Sequence, residues 1–330
     1  MTPTTHHTAT DPTLHDVVVV GGGAAGLSAA VTLARSLRDV VVVDAGEPRN
    51  APAAGAHNLL GREGVSPLAL LEAGRAEARA YGAQVRDGRV ASAARTDDRF
   101  TLTLTDGGVL TARRLVLATG LVDELPDVPG VRELWGTHVL HCPYCHGYEV
   151  RGRRIGVLGT SPNALHQTLL LRQLSDDVTL FLHESPEPDD EGWEQLAALG
   201  VRVVTGRVRE VARDGECLRA VVLEDGHAFP VSAVAVQPRF VARADLFEQL
   251  GGTVAEHPFG SFITRDPAGA TTVPGVWAAG NAGDLTAMVG AAAAQGVMAG
   301  AAINAELVQE DVRSAVAARR RSLTSTGAAS

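Results

Sequence analysis

Two cysteines in a C-x-x-C spacing, Cys142 and Cys145, are the residues of this sequence best suited to chemistry. When such a segment turns into a helix, both sulfurs come within bridging reach, and free backbone N–H groups at the helix start stabilise a thiolate. His141 and His146 flank the pair, and a histidine that titrates near neutrality can move thiol protons. We therefore interpret the stretch as a redox-active dithiol whose catalytic residues are these two cysteines and two histidines.

Zinc binding and a structural disulfide are the alternatives for this stretch. A zinc site needs a second pair of ligands, but the third and last cysteine, Cys217, stands alone and is predicted to be a buried core thiol. We therefore expect no metal site. A structural disulfide across so short a loop would add little stability.

A glycine-rich turn follows the first apolar strand of the chain. Residues 16–20 predict a buried parallel strand, residues 27–37 have helical composition, and residues 40–43 predict a second strand that ends in an acid. In a G-x-G-x-x-G turn the glycines allow a tight bend, a close pyrophosphate and helix packing, and the acid accepts from a ribose hydroxyl. The predicted dinucleotide contacts are Gly21, Gly23, Ala24, Ala25, Gly26 and Asp44.

The loop after this unit, residues 47–64, is rich in proline and glycine. It contains His57 and Asn58, which could reach a bound cofactor, but we interpret them as solvated loop residues. Ser66 is expected to cap a helix over residues 67–81.

A second strand–helix–strand unit covers residues 154–182, but its turn is altered. Ser161 stands where the second glycine is expected, and Pro162 lacks the N–H group that a phosphate would accept. The acidic run Glu184–Glu191 would repel the extra phosphate of NADPH. The unit is predicted to have a nucleotide-binding shape with weakened NADPH affinity, and ordinary loop substitutions with retained binding are the alternative.

Length and composition narrow the classes of function. The 330 residues are 45% hydrophobic, which leaves room for two domains, and a net charge of -9 without a basic stripe argues against nucleic-acid partners. We identify no apolar stretch of membrane-spanning length, and the first 14 residues are expected to be disordered, so no membrane association is expected. The polar chain from Val308 onward is expected to fray. Three cysteines with one C-x-x-C favour a reducing cytoplasm.

From about residue 16 to residue 307 the chain resembles the low-molecular-weight thioredoxin reductases. The resemblance lies in the glycine turn, the strand over residues 115–120, the C-x-x-C and the segment over residues 272–281. It implies an α/β fold with two Rossmann-like dinucleotide-binding domains and a homodimer. The FAD domain would comprise residues 1–120 and 243–330, and the inserted NAD(P)-binding-like domain, residues 121–242, would carry the C-x-x-C. The further FAD contacts that it implies are Asn50, Thr119, Gly120, Gly280 and Asn281.

Several departures from the reductases point to another branch. The reductases carry a small pair between the cysteines and an Asp after them, whereas here Pro143 and Tyr144 lie between the cysteines and His146 follows. Asn281 also replaces an Asp at the last FAD strand. Together with the altered nucleotide turn, this pattern is similar to the flavin dithiol oxidases of disulfide natural products, which act on gliotoxin, holomycin and related dithiols.

The second resemblance implies an FAD-dependent dithiol oxidase. Such an enzyme forms an intramolecular disulfide in a small-molecule dithiol, for biosynthesis or self-protection, and passes the electrons through FAD to O2, giving H2O2. Cys145 would be nearer the flavin, Cys142 would face the substrate, and His146, or else His141, would be the base. One alternative is an NAD(P)H-dependent disulfide reductase. The other is a non-catalytic flavoprotein, and the intact dithiol argues against this second alternative.

Overall fold

The computed structural model describes residues 14–327, and side-chain surroundings as far as residue 323. The disorder expected for the first 14 residues lies outside this range, apart from Leu14, which begins a strand. The strands are β1 (Leu14–Val20), β2 (Val40–Asp44), β3 (Gln84–Asp87), β4 (Val90–Thr96), β5 (Arg99–Leu104), β6 (Val109–Leu117), β7 (Leu121–Glu124), β8 (Val139–Leu140), β9 (Ile155–Leu158), β10 (Val178–Phe181), β11 (Arg202–Val204), β12 (Val208–Asp214), β13 (Cys217–Leu223), β14 (Ala228–Pro230), β15 (Ala233–Val236), β16 (Arg239–Ala242), β17 (Ala255–His257), β18 (Gly260–Phe262) and β19 (Val276–Ala278). The α-helices are α1 (Ala24–Arg35), α2 (Pro67–Ala80), α3 (Pro143–His146), α4 (Ala164–Arg172), α5 (Asp190–Ala198), α6 (Asp245–Gln249) and α7 (Val289–Gly327).

The first sheet has the strand order β3-β2-β1-β6-β5-β4, and β19 also pairs with β6. Strands β3, β2, β1, β6 and β19 run parallel, whereas β4, β5 and the start of β6 form an antiparallel meander. The valines of β1 and β2 are buried at every position, because helices α1, α2 and α7 cover one face of the sheet and the β4–β5 meander with α6 covers the other. The predicted strands on either side of the glycine turn are therefore confirmed.

The second sheet has the order β11-β10-β9-β15-β8, and all its pairings are parallel. Helix α4 crosses from β9 to β10, which makes the second strand–helix–strand unit. Two Rossmann-like parallel sheets in one chain confirm the predicted α/β fold class. A four-stranded sheet, β17-β18-β16-β7, brings together strands from before and after the second sheet in sequence, and β12-β13-β14 form a separate antiparallel sheet.

Helix α7 packs along α1, and small residues permit the close approach. A Cβ atom on Gly296 would lie 2.0 Å from the carbonyl oxygen of Ala25, so only glycine fits there. The stretch Val289–Leu323 is long and apolar enough to cross a membrane by length and composition, and an 18-residue part of it has mean hydropathy 1.2, although we expected no such stretch. Since its apolarity comes largely from Ala and Gly and part of it packs on α1, we interpret it as a core helix.

The fraying expected from Val308 onward is wrong, because α7 continues to Gly327. Arg113 pairs with Glu310 at 2.9 Å and with Asp311 at 2.7 Å, so polar residues of the exposed helix also bind the first sheet. Two smaller expectations also differ. Cys217 is exposed at the first position of β13, and Ser66 precedes α2 without a side-chain capping hydrogen bond.

Candidate active site

The dithiol lies at the start of the short helix α3. Cys142 is the N-cap residue, and its Sγ atom accepts a hydrogen bond from the Cys145 backbone N–H at 3.2 Å. Pro143 occupies the first helical position, where no backbone donor is needed. Gly147 closes the turn, because a Cβ atom there would lie 2.2 Å from the Pro143 carbonyl oxygen and 2.4 Å from the Leu174 side chain. Both cysteines are half-buried free thiols.

The two sulfurs differ in acidity. The pKa of Cys142 is lowered to about 7, first by a hydrogen bond from the Cys145 side chain and also by nearby backbone N–H groups and the Arg49 charge. The same hydrogen bond and burial raise the pKa of Cys145. In the reduced pair the thiolate therefore forms at Cys142, while Cys145 stays a thiol.

The two flanking histidines are both neutral at physiological pH. Burial and the Arg49 charge lower the pKa of His141 to about 4, and its ring packs edge-on against Phe240 at 5.0 Å between centroids. Burial also lowers the pKa of His146, but the Glu149 carboxylate opposes this shift. Its Nε2 atom is buried without a partner among the described residues. A base of pKa 4 accepts a thiol proton poorly, so the pKa shifts favour His146 over His141 as the base.

A single cavity of about 1090 Å³ contains both the dithiol and the glycine turn. Its volume exceeds the roughly 300–1,000 Å³ typical of small-ligand pockets, which suits a dinucleotide together with a second molecule. The predicted site residues that line it are Gly21, Gly23, Ala24, Ala25, Asp44, Asn50, Thr119, Gly120, His141, Cys142, Cys145, His146, Gly280 and Asn281.

The glycine turn fits a pyrophosphate. Around Gly23 a Cβ atom would meet nothing within 4 Å, so the backbone is open to a ligand at the start of α1. A Cβ on Gly21 would lie 2.3 Å from the Ala118 carbonyl oxygen, and one on Gly26 would lie 1.9 Å from the Gly21 carbonyl oxygen. Gly21 and Gly26 therefore serve the bend and the helix packing, and Gly26 does not line the cavity.

Asp44 has partners that the sequence did not reveal. Its Oδ1 atom accepts from the Gly22 backbone N–H at 3.0 Å, and its Oδ2 atom accepts from the Arg75 guanidinium. The carboxylate is thereby fixed at the end of β2, where it lines the cavity. Arg75 lies on α2, 31 residues away, so no local motif pointed to it.

An ion pair that sequence reasoning also missed lies beside the dithiol. Arg49 donates to both oxygens of Asp123, at 2.8 and 2.6 Å, and its guanidinium lies 5.0 Å from the centre of the Phe240 ring. A third Arg49 nitrogen lies 3.4 Å from Oδ1 of Asn281. The amide of Asn281 donates to the carbonyls of Asp284 and Ala287, at 3.0 Å each, which a carboxylate could not do. An asparagine therefore suits this loop better than the Asp of the reductases.

The remaining predicted FAD contacts are Thr119, Gly120, Gly280 and Asn50. They lie where the N-terminal and C-terminal parts of the chain meet. Thr119 donates to the Arg243 carbonyl at 2.7 Å, and Gly120 has φ +72° as the chain leaves β6. Gly280 has φ +69°, and its N–H donates to the Gln295 side chain at 2.9 Å. Asn50 lies on the cavity wall.

The altered turn of the second unit is occupied by the protein's own side chains. Thr160 and Asn163 both bond to Gln237, at 2.9 and 3.2 Å. Glu184 pairs with Arg207, which neutralises the positive charge of that guanidinium. These contacts agree with weakened NADPH binding. Among residues 14–327, no group of three or more His, Cys, Asp or Glu side chains could hold a metal ion.

Known proteins resemble the chain over nearly its whole length. The family model described as pyridine nucleotide-disulphide oxidoreductase matches residues 15–301. Thioredoxin reductase sirT of Leptosphaeria maculans is 32% identical over 92% of this chain and 98% of its own. The crystal structure of HlmI superposes with a TM-score of 0.88 at 48% identity, covering 95% of this chain and 100% of its own. An oxidoreductase from Agrobacterium tumefaciens gives 0.85 at 39% identity, covering 90% and 99%.

Proposed function

Because the chain belongs to the pyridine nucleotide-disulphide oxidoreductase family, as a thioredoxin reductase-like member, we propose that it is an FAD-dependent dithiol oxidase. Family membership makes it a redox enzyme with FAD as its cofactor. The observation that carries the finer proposal is the common cavity, in which a dithiol of unequal acidities faces the glycine turn. Its substrate would be a small molecule with two thiols, which leaves as an intramolecular disulfide.

The unequal sulfurs suit disulfide exchange. A substrate thiolate attacks the Cys142–Cys145 disulfide at Cys142 and releases Cys145. The second substrate thiol then attacks the mixed disulfide and releases Cys142, whose low pKa makes it the better leaving group. The substrate thus loses two electrons and two protons, and the enzyme dithiol gains them. Bound FAD would take these electrons from the dithiol and pass them to O2, which leaves as H2O2.

The proposal gives His146 the task of removing the substrate thiol proton. It follows Cys145 directly, and its unpartnered Nε2 atom is free to accept. A pKa below the ordinary range keeps the ring neutral at physiological pH, so it can act as a base. His141 is the less suitable base because of its lower pKa.

A second candidate function is an NAD(P)H-dependent disulfide reductase. The printed name of the relative sirT, thioredoxin reductase, favours it. One structural observation does so as well, since the Ser161 hydroxyl in the second turn is buried without a partner among the described residues and could face a phosphate. Against it stand Pro162, which offers no N–H, and the Glu184 carboxylate.

The proposal also covers the substrate class, the oligomeric state and the cellular location of the enzyme. The C-P-aromatic-C-H-G motif, which resembles that of oxidases acting on gliotoxin and holomycin, supports a disulfide natural product as the substrate class. The same resemblance supports a homodimer. The cysteine usage supports a cytoplasmic location.

Anaerobic mixing tests the proposal. The FAD-loaded enzyme is mixed with dithiothreitol, NADPH or NADH, and flavin absorbance is followed. We expect bleaching by the dithiol alone, and in air one O2 consumed and one H2O2 formed per disulfide. The Cys145→Ser variant, which keeps the glycine turn, is the matched control and should not be bleached. Fast bleaching by NADPH would support the reductase, and bleaching by none of the three would contradict both candidates.

A further inference from the structure

The loop between Ala56 and Val65 reaches from the glycine-turn half of the molecule to the redox helix. An antiparallel bridge between these two residues closes the loop, with the Ala56 N–H donating to the Val65 carbonyl at 2.8 Å. At its tip, the Asn58 side chain donates to the Tyr144 carbonyl at 2.8 Å. The adjacent His57 places Nε2 3.6 Å from the Glu149 carboxylate. We call His57, Asn58, Glu63, Tyr144 and Glu149 the clasp.

Glu63 gives the loop side of the clasp a fixed shape. One of its carboxylate oxygens lies 2.6 Å from His57 Nδ1, and the other accepts from the Asn58 backbone N–H at 2.9 Å. Hydrogen bonding to His57 lowers the pKa of Glu63, so the carboxylate stays ionised. Asn58 has φ 59°, a left-handed conformation that asparagine tolerates better than most residues. The loop is therefore shaped to aim two side chains at the redox helix.

The redox helix needs such support because it has little of its own. It is four residues long, and none of its residues is buried. Before the helix, Gln167 donates to the His141 carbonyl at 2.7 Å. Within the helix, Asn58 bonds the carbonyl of Tyr144, one of the two residues between the cysteines.

We propose that His57 and Asn58 are positioning residues that hold the dithiol at the flavin during turnover. This inference rests on the proposed function, in which electrons leave the dithiol for FAD. In that step Cys142 and Cys145 become a disulfide and give up two electrons and two protons. Both electrons and one proton pass to the flavin, and the other proton passes to His146 or solvent. Movement of the helix away from the loop would break the Asn58–Tyr144 bond.

The clasp should act on electron transfer more than on thiol capture. Capture needs only an accessible sulfur, whereas transfer to the flavin needs a fixed distance. The test variants are Asn58→Ala and Asn58→Gly, at an exposed position at which folding should survive; glycine keeps the left-handed backbone without strain, so an effect that both variants share comes from the lost bond. The matched control is Asn304→Ala, which removes another long-range bond, from Arg38 at 2.8 Å, far in sequence from the clasp.

Two rates are measured for each variant. Capture is followed as loss of colour of 2-nitro-5-thiobenzoate, a monothiol, on oxidised enzyme. Transfer is followed as anaerobic flavin bleaching by dithiothreitol. In Asn58→Ala we expect bleaching to slow about tenfold, the scale of one lost hydrogen bond, with capture within about twofold. His57→Ala should behave in the same way, and Asn304→Ala should change neither rate.

Hydrogen exchange separates failure of this inference from failure of the proposed function. Loss of the clasp should speed amide exchange over residues 143–148 and leave exchange in the first sheet unchanged. Unchanged bleaching together with unchanged exchange in both clasp variants would overturn the inference. If dithiols fail to bleach even the unaltered enzyme, the oxidase proposal fails, and the exchange result still decides whether the clasp holds the helix.

Discussion

The acidity of Cys142 gives the most direct quantitative test of the site. Its pKa of about 7 lies two units below an ordinary value of 9.0, and the leading cause is the hydrogen bond from the Cys145 side chain. This lowering corresponds to about 3 kcal/mol in favour of the thiolate. At pH 7 roughly half of the Cys142 side chains should therefore be thiolate, against about 1% for a cysteine of ordinary acidity.

The perturbation is Cys145→Ala, made in a Cys217→Ser background because Cys217 is exposed and would be alkylated as well. Without the Cys145 donor, the backbone N–H groups and Arg49 remain as lesser causes, so the pKa of Cys142 should rise most of the way back. Its thiolate fraction at pH 7, and with it the alkylation rate, should fall about tenfold.

Alkylation by iodoacetamide, followed by intact-protein mass spectrometry over a pH series, measures this effect. The reduced enzyme with Cys145 should show a midpoint near 7 and modification at Cys142 first. The alanine variant should show a midpoint more than one unit higher. A midpoint that stays near 7 would refute the reasoning, since the thiolate would then be held by the backbone and Arg49 instead of by its partner sulfur.

Three further predictions concern other parts of the molecule. His146→Ala should slow flavin reduction about 10²-fold, and this loss should shrink as pH rises and the substrate ionises. His141→Ala should have a smaller effect, and stopped-flow measurement of flavin bleaching over a pH series checks both variants. Asn281→Asp should weaken FAD retention about tenfold, measured by dialysis, because a carboxylate would face two loop carbonyls that the amide now bonds. Gly296→Ala should destabilise the protein by about 1–3 kcal/mol in urea unfolding, and unchanged stability would contradict the helix packing. Gly290→Ala is its control, because a Cβ there meets nothing closer than 3.8 Å.

Local patterns in the sequence predicted the nucleotide fold and the redox motif. The turn from Gly21 to Gly26 is predictable because its glycine spacing, its flanking strands and the acid at the end of β2 form a recurrent unit, although Gly21 also packs against the distant Ala118 carbonyl. The dithiol is predictable because its spacing alone brings the sulfurs together. In both cases the residues that define the motif lie close together in sequence, so their spacing is enough to predict their chemistry.

The groups that tune the site could not be found in this way. Arg49 and Asp123 are separated by 74 residues, and Asn58 and Tyr144 by 86, so only the folded chain brings them together. Polarity also misled us about the C-terminal segment, because exposed side chains such as Asp311 form ion pairs with arginines of the first sheet and the segment is helical. Cys217 was judged by residue type, although its position at the start of β13 leaves it exposed.

Because one cavity is shared by two parts of the chain, binding of its ligand is coupled to the folding of both parts. Its walls come from the glycine-turn half and from the half that carries the dithiol, so a molecule that fills it is bound fully only while both stay together. At 100 times its Kd, such a ligand adds about 2.7 kcal/mol to the assembled state. The two halves should therefore unfold as one cooperative unit with FAD bound, and in separate steps once the cofactor has been stripped.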